Sequence, residues 1–156
     1  MNIFVLDKDH IKNAEYHCDK HIIKMILESA QLLSTACRLH GLASGYRETH
    51  INHPCSIWVR KSLSNWLWLQ DLICALNDEF RYRYNHSHNH KAFDVANKLP
   101  IPDIPDLGLT NFALAMPDEF KTDDAVLSYR RYYIEKKNKI VSWRNRNKPY
   151  WYLTNE

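Results

Sequence analysis

Apolar residues recur at helical spacing along most of the chain, and the pattern breaks at few places. From about Asp9 to Leu39, the residues Ile22, Ile26, Ala30, Leu33 and Cys37 fall on one face, which predicts a long first helix. Gly41 is a natural stop for it. Residues 41–53 (GLASGYRETHINH) read as a loop, and Pro54 suits the first turn of a second helix. Ile57, Leu63, Leu67, Leu69, Ile73, Leu76 and Phe80 carry that helix to about Tyr84, where the tract NHSHNHK breaks it. A short helix over 91–98 follows. Residues 99–108 (LPIPDIPDLG) hold three prolines and predict an extended, rigid connection. MPDEF (116–120) reads as a turn. Thr122 caps a last long helix, with Asp123 and Asp124 at its positive end. Along that helix Val126, Tyr129, Tyr133, Ile140 and Trp143 lie near one face. The apolar run at residues 2–6 (NIFVL) has no evident partner strand and reads as an extended arm. The expected fold is all-α: a single domain over 1–156, a compact bundle of three long helices plus short ones, with a short extended N-terminal arm.

Composition narrows this. A chain of 156 residues fits one domain and can bury roughly two-thirds of its unfolded surface, so it needs neither metal nor disulfide to fold. Three glycines are too few for a chain of many tight turns, which argues against an all-β sandwich. Cys18, Cys37, Cys55 and Cys74 form no CxxC pair, and each reads as a small buried apolar residue. MNIFVLDKDH is charged where a signal peptide is apolar, and no run approaches the ~20 apolar residues of a membrane span. A cytoplasmic protein with reduced thiols and no membrane partner is expected. The net charge of +3 permits a phosphate-bearing ligand without suggesting a protein that coats DNA.

The sharpest chemical signal lies on the first helix. His17, His21, Lys24, Glu28, Gln31 and Arg38 follow a helical stripe, with Lys20 beside it. Histidine offers a proton donor or acceptor near neutral pH, glutamate a general base, and lysine a cation for phosphate. The plainer reading is a solvated face with one Lys24–Glu28 ion pair, worth a few tenths of a kcal/mol. His17 and His21 have zinc-chelating spacing, but the glutamate of an HExxH motif is replaced by Cys18, so no metal is assigned. The loop THINHPC brings Asn52 and His53 to a helix start, an arrangement that suits anions or simple capping. Arg81 and Arg83 alternate with tyrosines, as phosphate-and-stacking surfaces do or as snorkelling helix ends do. Residues 129–152 interleave basic and aromatic side chains, among them Arg130 and Trp143.

The order of these pieces resembles the pyrimidine dimer DNA glycosylases. The shared pieces are an MNIF arm leading into a polar-striped helix, GY…NHP, an arginine- and tyrosine-rich second helix end, and a terminal Trp near Lys-Pro. The pattern HCDKH…KM.LE.AQLL followed by NHP…W is also similar to a family of tailed-phage proteins that brings no function with it. The glycosylase resemblance implies a small helical protein with an N-terminal amine as nucleophile and a carboxylate on the first helix. Asn2 is too large for ready removal of the methionine before it, so that amine would sit on Met1. Either His21 or Glu28 falls at the carboxylate position.

The expected activity is therefore directed at a nucleotide or nucleic acid. It would cleave a phosphodiester or N-glycosidic bond without metal or cofactor. His17, His21 and Glu28 are the catalytic candidates. Lys20, Lys24, Arg38, Asn52, His53, Arg81, Arg83, Arg130 and Trp143 are the candidate ligand contacts. The alternative is an anti-defence protein that sequesters a host immune signal, such as a cyclic dinucleotide or an ADP-ribose derivative, between the protomers of a homodimer.

Overall fold

The computed structural model describes residues 1–136, 139 and 141–152. Six α-helices follow in order: α1 (His10–Tyr16), α2 (Asp19–Leu39), α3 (Pro54–Lys61), α4 (Leu63–Tyr84), α5 (Lys91–Asn97) and α6 (Ala125–Lys136). A 3₁₀ turn covers Asp118–Phe120, and no strand occurs among the described residues. The bundle is built on α2 packed against α4; α1 and α3 lean on α4, and α5 on α2. Ile22, Ile26, Leu33, Trp66, Leu69, Leu72 and Ile73 fill the seam. No helix among the described residues is long and apolar enough to cross a membrane.

The arm is extended, as its pattern predicts. Ile3, Phe4, Val5 and Leu6 are buried, and the Leu6 amide donates to Asn13 Oδ1 at 3.0 Å. Phe4 stacks on His21, ring centroids 4.6 Å apart.

The predicted first helix is two helices. His17 and Cys18 are extended, with ψ near 135° and 160°, and separate α1 from α2. A helix end leaves carbonyls without intrahelical partners, and here distant side chains take them up. His17 Nδ1 donates to the Asn13 carbonyl (2.7 Å), Arg83 to those of Glu15 (2.8 Å) and His17 (2.7 Å), and Trp143 Nε1 to that of Tyr16 (2.9 Å). On the other side of the break the Cys18 amide donates to the Tyr133 hydroxyl, and the Asp19 amide to the Ser142 carbonyl.

The second helix also divides, at Ser62, which the proline-rich segment grips. Ser62 Oγ donates to the Gly108 carbonyl (2.7 Å), and Asp106 Oδ1 accepts from Ser64 Oγ (2.6 Å). Asn65 Nδ2 takes up the Trp58 carbonyl left by the end of α3. Ile57 and Leu67, expected on the core face, are exposed, each standing two residues, about 200° of helical turn, from the buried Val59 and Leu69 that mark the inner face. Cys74, expected to be buried, is exposed, while the other three thiols are buried. Asp124 caps α6 in place of Thr122, its Oδ1 accepting from the Leu127 amide at 3.1 Å. Trp143 lies beyond α6 in an irregular segment, and Ile140 lies outside the described residues.

Residues 41–53 are a loop pressed onto α2. Gly45 has a φ of +72°, and a side chain there would run into Ser34. Arg38 fixes the same loop, Nε donating to the Tyr46 carbonyl at 2.6 Å and Nη2 to that of Gly45 at 3.0 Å.

Candidate active site

Glu28 projects from α2 toward the arm, its side chain 11% exposed. It meets the start of the chain there. Its Oε2 accepts from the Asn2 amide at 3.0 Å, and its Oε1 lies 3.6 Å from the Met1 amine. Lys24, one turn earlier on α2, brings Nζ to 3.8 Å from the same Oε1. The Met1 side chain is 4% exposed, yet the residue as a whole is half-buried. Its exposure therefore lies on the main chain, where the amine is.

Asn2 sets the position of that amine. Its Nδ2 donates to the Ala115 carbonyl at 2.9 Å, and its Oδ1 accepts from the Ile3 amide at 2.8 Å. The Tyr129 hydroxyl lies 3.2 Å from the same Oδ1, donates to the Ala113 carbonyl at 2.6 Å and accepts from the Ala115 amide. Burial pushes the Tyr129 phenol far up, so it keeps its proton for these bonds. Cys55 Sγ approaches Asn2 Oδ1 at 3.5 Å, and burial pushes its thiol up to about 11, which keeps it from competing as a nucleophile. The short arm is thus located by α2, α3, α6 and the segment before the 3₁₀ turn.

His53 borders this group as the cap of α3, its Nδ1 accepting from the Cys55 amide at 3.1 Å. Partial burial lowers its pKa below the usual imidazole range, and the charges of the Met1 amine and His50 push the same way. His50 and Asn52 are exposed on the turn ahead of it.

The predicted stripe does not form one face. Lys20 and Lys24 are exposed on α2, Glu28 faces the arm, and His17 and His21 are sunk in the interior. His17 is wholly buried at the end of α1; burial lowers its pKa to about 4. Its Nδ1 faces a carbonyl and so carries the proton. His21 lies under Phe4 with Nδ1 2.9 Å from the Tyr133 hydroxyl. Neither imidazole reaches a surface where a phosphodiester could lie.

The remaining candidates are dispersed as well. Arg83 is 1% exposed and bonded to Glu79, Asp19 and the α1 carbonyls, so it closes the interior. Arg130 donates to the Leu6 carbonyl, pairs with Asp7, and lies against Tyr16 and Trp151. Arg38 and Trp143 hold backbone, while Arg81 is exposed at the end of α4. Periodicity marked Tyr129 only as a core residue, and the arm and loop motifs that hold Asn2 and Cys55 tied neither of them to the amine; the resemblance alone pointed to residue 1.

An amine and a carboxylate held together form a small covalent-catalysis set. The amine becomes a nucleophile on losing its proton, and the carboxylate is placed to exchange protons with it. Residues 1–92 match the profile of a family described as pyrimidine dimer DNA glycosylase. The matched stretch holds Met1, Asn2, Lys24, Glu28 and His53. No curated protein and no solved structure matches the chain.

Proposed function

The chain belongs to the pyrimidine dimer DNA glycosylase family, and on that premise we propose that it excises a damaged pyrimidine from duplex DNA with its own terminal amine as nucleophile. The observation that carries this reading is the Met1 amine 3.6 Å from Glu28, on a residue whose side chain is buried and whose main chain keeps the exposure. Once deprotonated, the amine nitrogen attacks C1′ of the deoxyribose. The bond from C1′ to the base breaks and the base departs with a proton. O4′ then leaves C1′ as a hydroxyl, and an imine joins the nitrogen to C1′. Removal of a proton from C2′ expels the 3′ phosphate and cuts the strand. Glu28 takes up the amine's proton, supplies one to O4′ and accepts the one from C2′. Lys24 and Lys20, exposed on the same helix, contact the flanking phosphates.

Borohydride tests this directly, because it reduces an imine to a stable link between protein and DNA. The expected result is a covalent adduct with both ultraviolet-irradiated and abasic duplexes, mapping by peptide mass to the amine of Met1. Glu28→Gln keeps an acceptor for the Asn2 amide but loses the charge. It is expected to slow strand cleavage by on the order of 10²–10⁴-fold. Absence of an adduct with abasic DNA overturns the proposal.

A further inference from the structure

Resting on the imine reading, we propose that α6 is a jig for the reaction, and that the Tyr129 hydroxyl is a positioning group that aims the Met1 amine at Glu28 through Asn2. The amine and the carboxylate reach the site on separate pieces of chain, the arm and α2, and α6 fastens to both. Tyr129 holds the first end of the arm, its hydroxyl 3.2 Å from Asn2 Oδ1. Arg130 holds the far end, Nε donating to the Leu6 carbonyl at 2.8 Å and Nη2 pairing with Asp7 at 3.3 Å. Tyr133, one turn on from Tyr129, holds the start of α2: its hydroxyl accepts from the Cys18 amide at 2.8 Å and lies 2.9 Å from His21 Nδ1. Between the two ends of the arm, Phe4 stacks on His21 and sets its ring edge-on to Tyr129 and Tyr133. These three α6 residues lie beyond the stretch that matches the family.

The Tyr129 hydroxyl is spent on this task. Phenylalanine would fill the same core space, and burying a hydroxyl costs free energy unless it is bonded. Its bonds run to the arm and to the segment on which the arm rests. It donates to the Ala113 carbonyl at 2.6 Å and accepts from the Ala115 amide at 3.2 Å, while the Ala115 carbonyl accepts from Asn2 Nδ2 at 2.9 Å. One phenol thus fixes the Asn2 side chain directly and through its support. The Asn2 amide is in turn bonded to Glu28 Oε2 at 3.0 Å, which leaves Oε1 toward the amine, 3.6 Å away. A shift of Asn2 therefore moves the amine and turns the carboxylate together. A misplacement of about 1 Å at a reacting centre costs on the order of 10²-fold in rate.

The test measures the rate of borohydride trapping of the full chain on an abasic duplex at saturating DNA, beside the Kd for the same duplex. Tyr129→Phe keeps the ring and removes the hydroxyl. It is expected to lower the trapping rate by about tenfold or more and to change Kd by less than about twofold. 4-Aminophenylalanine at position 129 returns a hydrogen-bonding group to the same place and restores the rate. Asn2→Leu removes the same contact from the side of the arm, with a residue large enough to keep Met1 in place, and shows the same split; it decides the outcome if Tyr129→Phe does not fold. Ser128→Ala is the control for stability alone. Its buried hydroxyl is bonded to Thr122 and Asp124, so its loss is expected to lower Tm and leave the trapping rate at the wild-type value. A wild-type rate in Tyr129→Phe or Asn2→Leu, or an equal loss in Ser128→Ala, overturns the positioning role and leaves the imine reading intact. A wild type that forms no adduct overturns the imine reading and the positioning role with it.

Discussion

His17 shows how far the chemistry of one residue depends on where the fold puts it. Its sequence context, one turn before His21 and three before Glu28, suggests a proton carrier. Its actual surroundings hold it neutral, with Nδ1–H on the Asn13 carbonyl and desolvation opposing any charge. That has a measurable effect on stability. The unfolded chain takes up the imidazole proton near 6.5, and the folded chain resists until about 4. Between those values the unfolded form binds a proton that the folded form does not. Stability is therefore fully present above 6.5, falls as the pH is lowered toward 4, and levels off below. The share from His17 is about 3 kcal/mol. Urea titrations at several pH values check this. His17→Gln is expected to be flatter than the wild type across that window, whatever its stability at neutral pH. A variant with the wild-type slope would assign the proton uptake elsewhere, for example to His53 or His90, whose imidazoles burial also lowers.

At the scale of elements, the breaks at His17–Cys18 and at Ser62 matter more than the helices. The helices were legible because Ile22, Ile26, Leu33, Leu69, Ile73 and Leu76 mark a buried face by spacing alone, and the arm was legible as an apolar run without a partner. The breaks were not, because nothing local enforces them. No proline or glycine stands at 17–18; the helix stops where Arg83, Trp143 and Tyr133 offer partners from far along the chain. Helical periodicity carries no information about such partners, and so His17 and Glu28 read as one stripe. Arg83 is the strongest of these ties. Arg83→Ala strips the donors from the carbonyls of Glu15 and His17 and leaves Asp19 and Glu79 short of a buried partner, although Arg146 still reaches Glu79 at 2.6 Å. It is expected to destabilise the fold by about 3–5 kcal/mol in chemical denaturation. Arg81→Ala, two residues away and exposed, is expected to stay within about 0.5 kcal/mol. Equal effects would contradict the roles assigned to the two arginines.

Seen as a whole, the molecule gathers its candidate site from pieces spread along its length. Met1 and Asn2 arrive from the arm, Glu28 and Lys24 from α2, Cys55 from α3, Ala115 from the segment before the 3₁₀ turn and Tyr129 from α6. Of these, Glu28 and the Met1 amine could be read from sequence through resemblance. Asn2 and Tyr129 could not, since a hydrogen bond across 127 positions leaves no local trace. The basic tail that suggested a nucleic-acid surface is turned inward only in part, since the side chains of Arg131, Arg144 and Lys148 stay exposed. Arg146 pairs with Glu79, the Arg144 amide bonds to Asp19, and Trp143 closes the end of α1.

The clasp between the two first helices also decides what can be transplanted. Family likeness ends at residue 92, but Tyr133, Ser142, Trp143 and Arg144 all fasten to residues 16–19 from beyond that limit. A chain cut after residue 92 would open those fastenings and bare Phe4, which rests against Tyr129, Tyr132 and Tyr133. It is expected to lack a sharp thermal transition in circular dichroism; a cooperative melt would show the later segments to be dispensable. The portion that carries the ancestry is thus not a cassette. A graft of this amine and carboxylate into another scaffold must bring the far half of the chain, or a substitute for the grip it supplies.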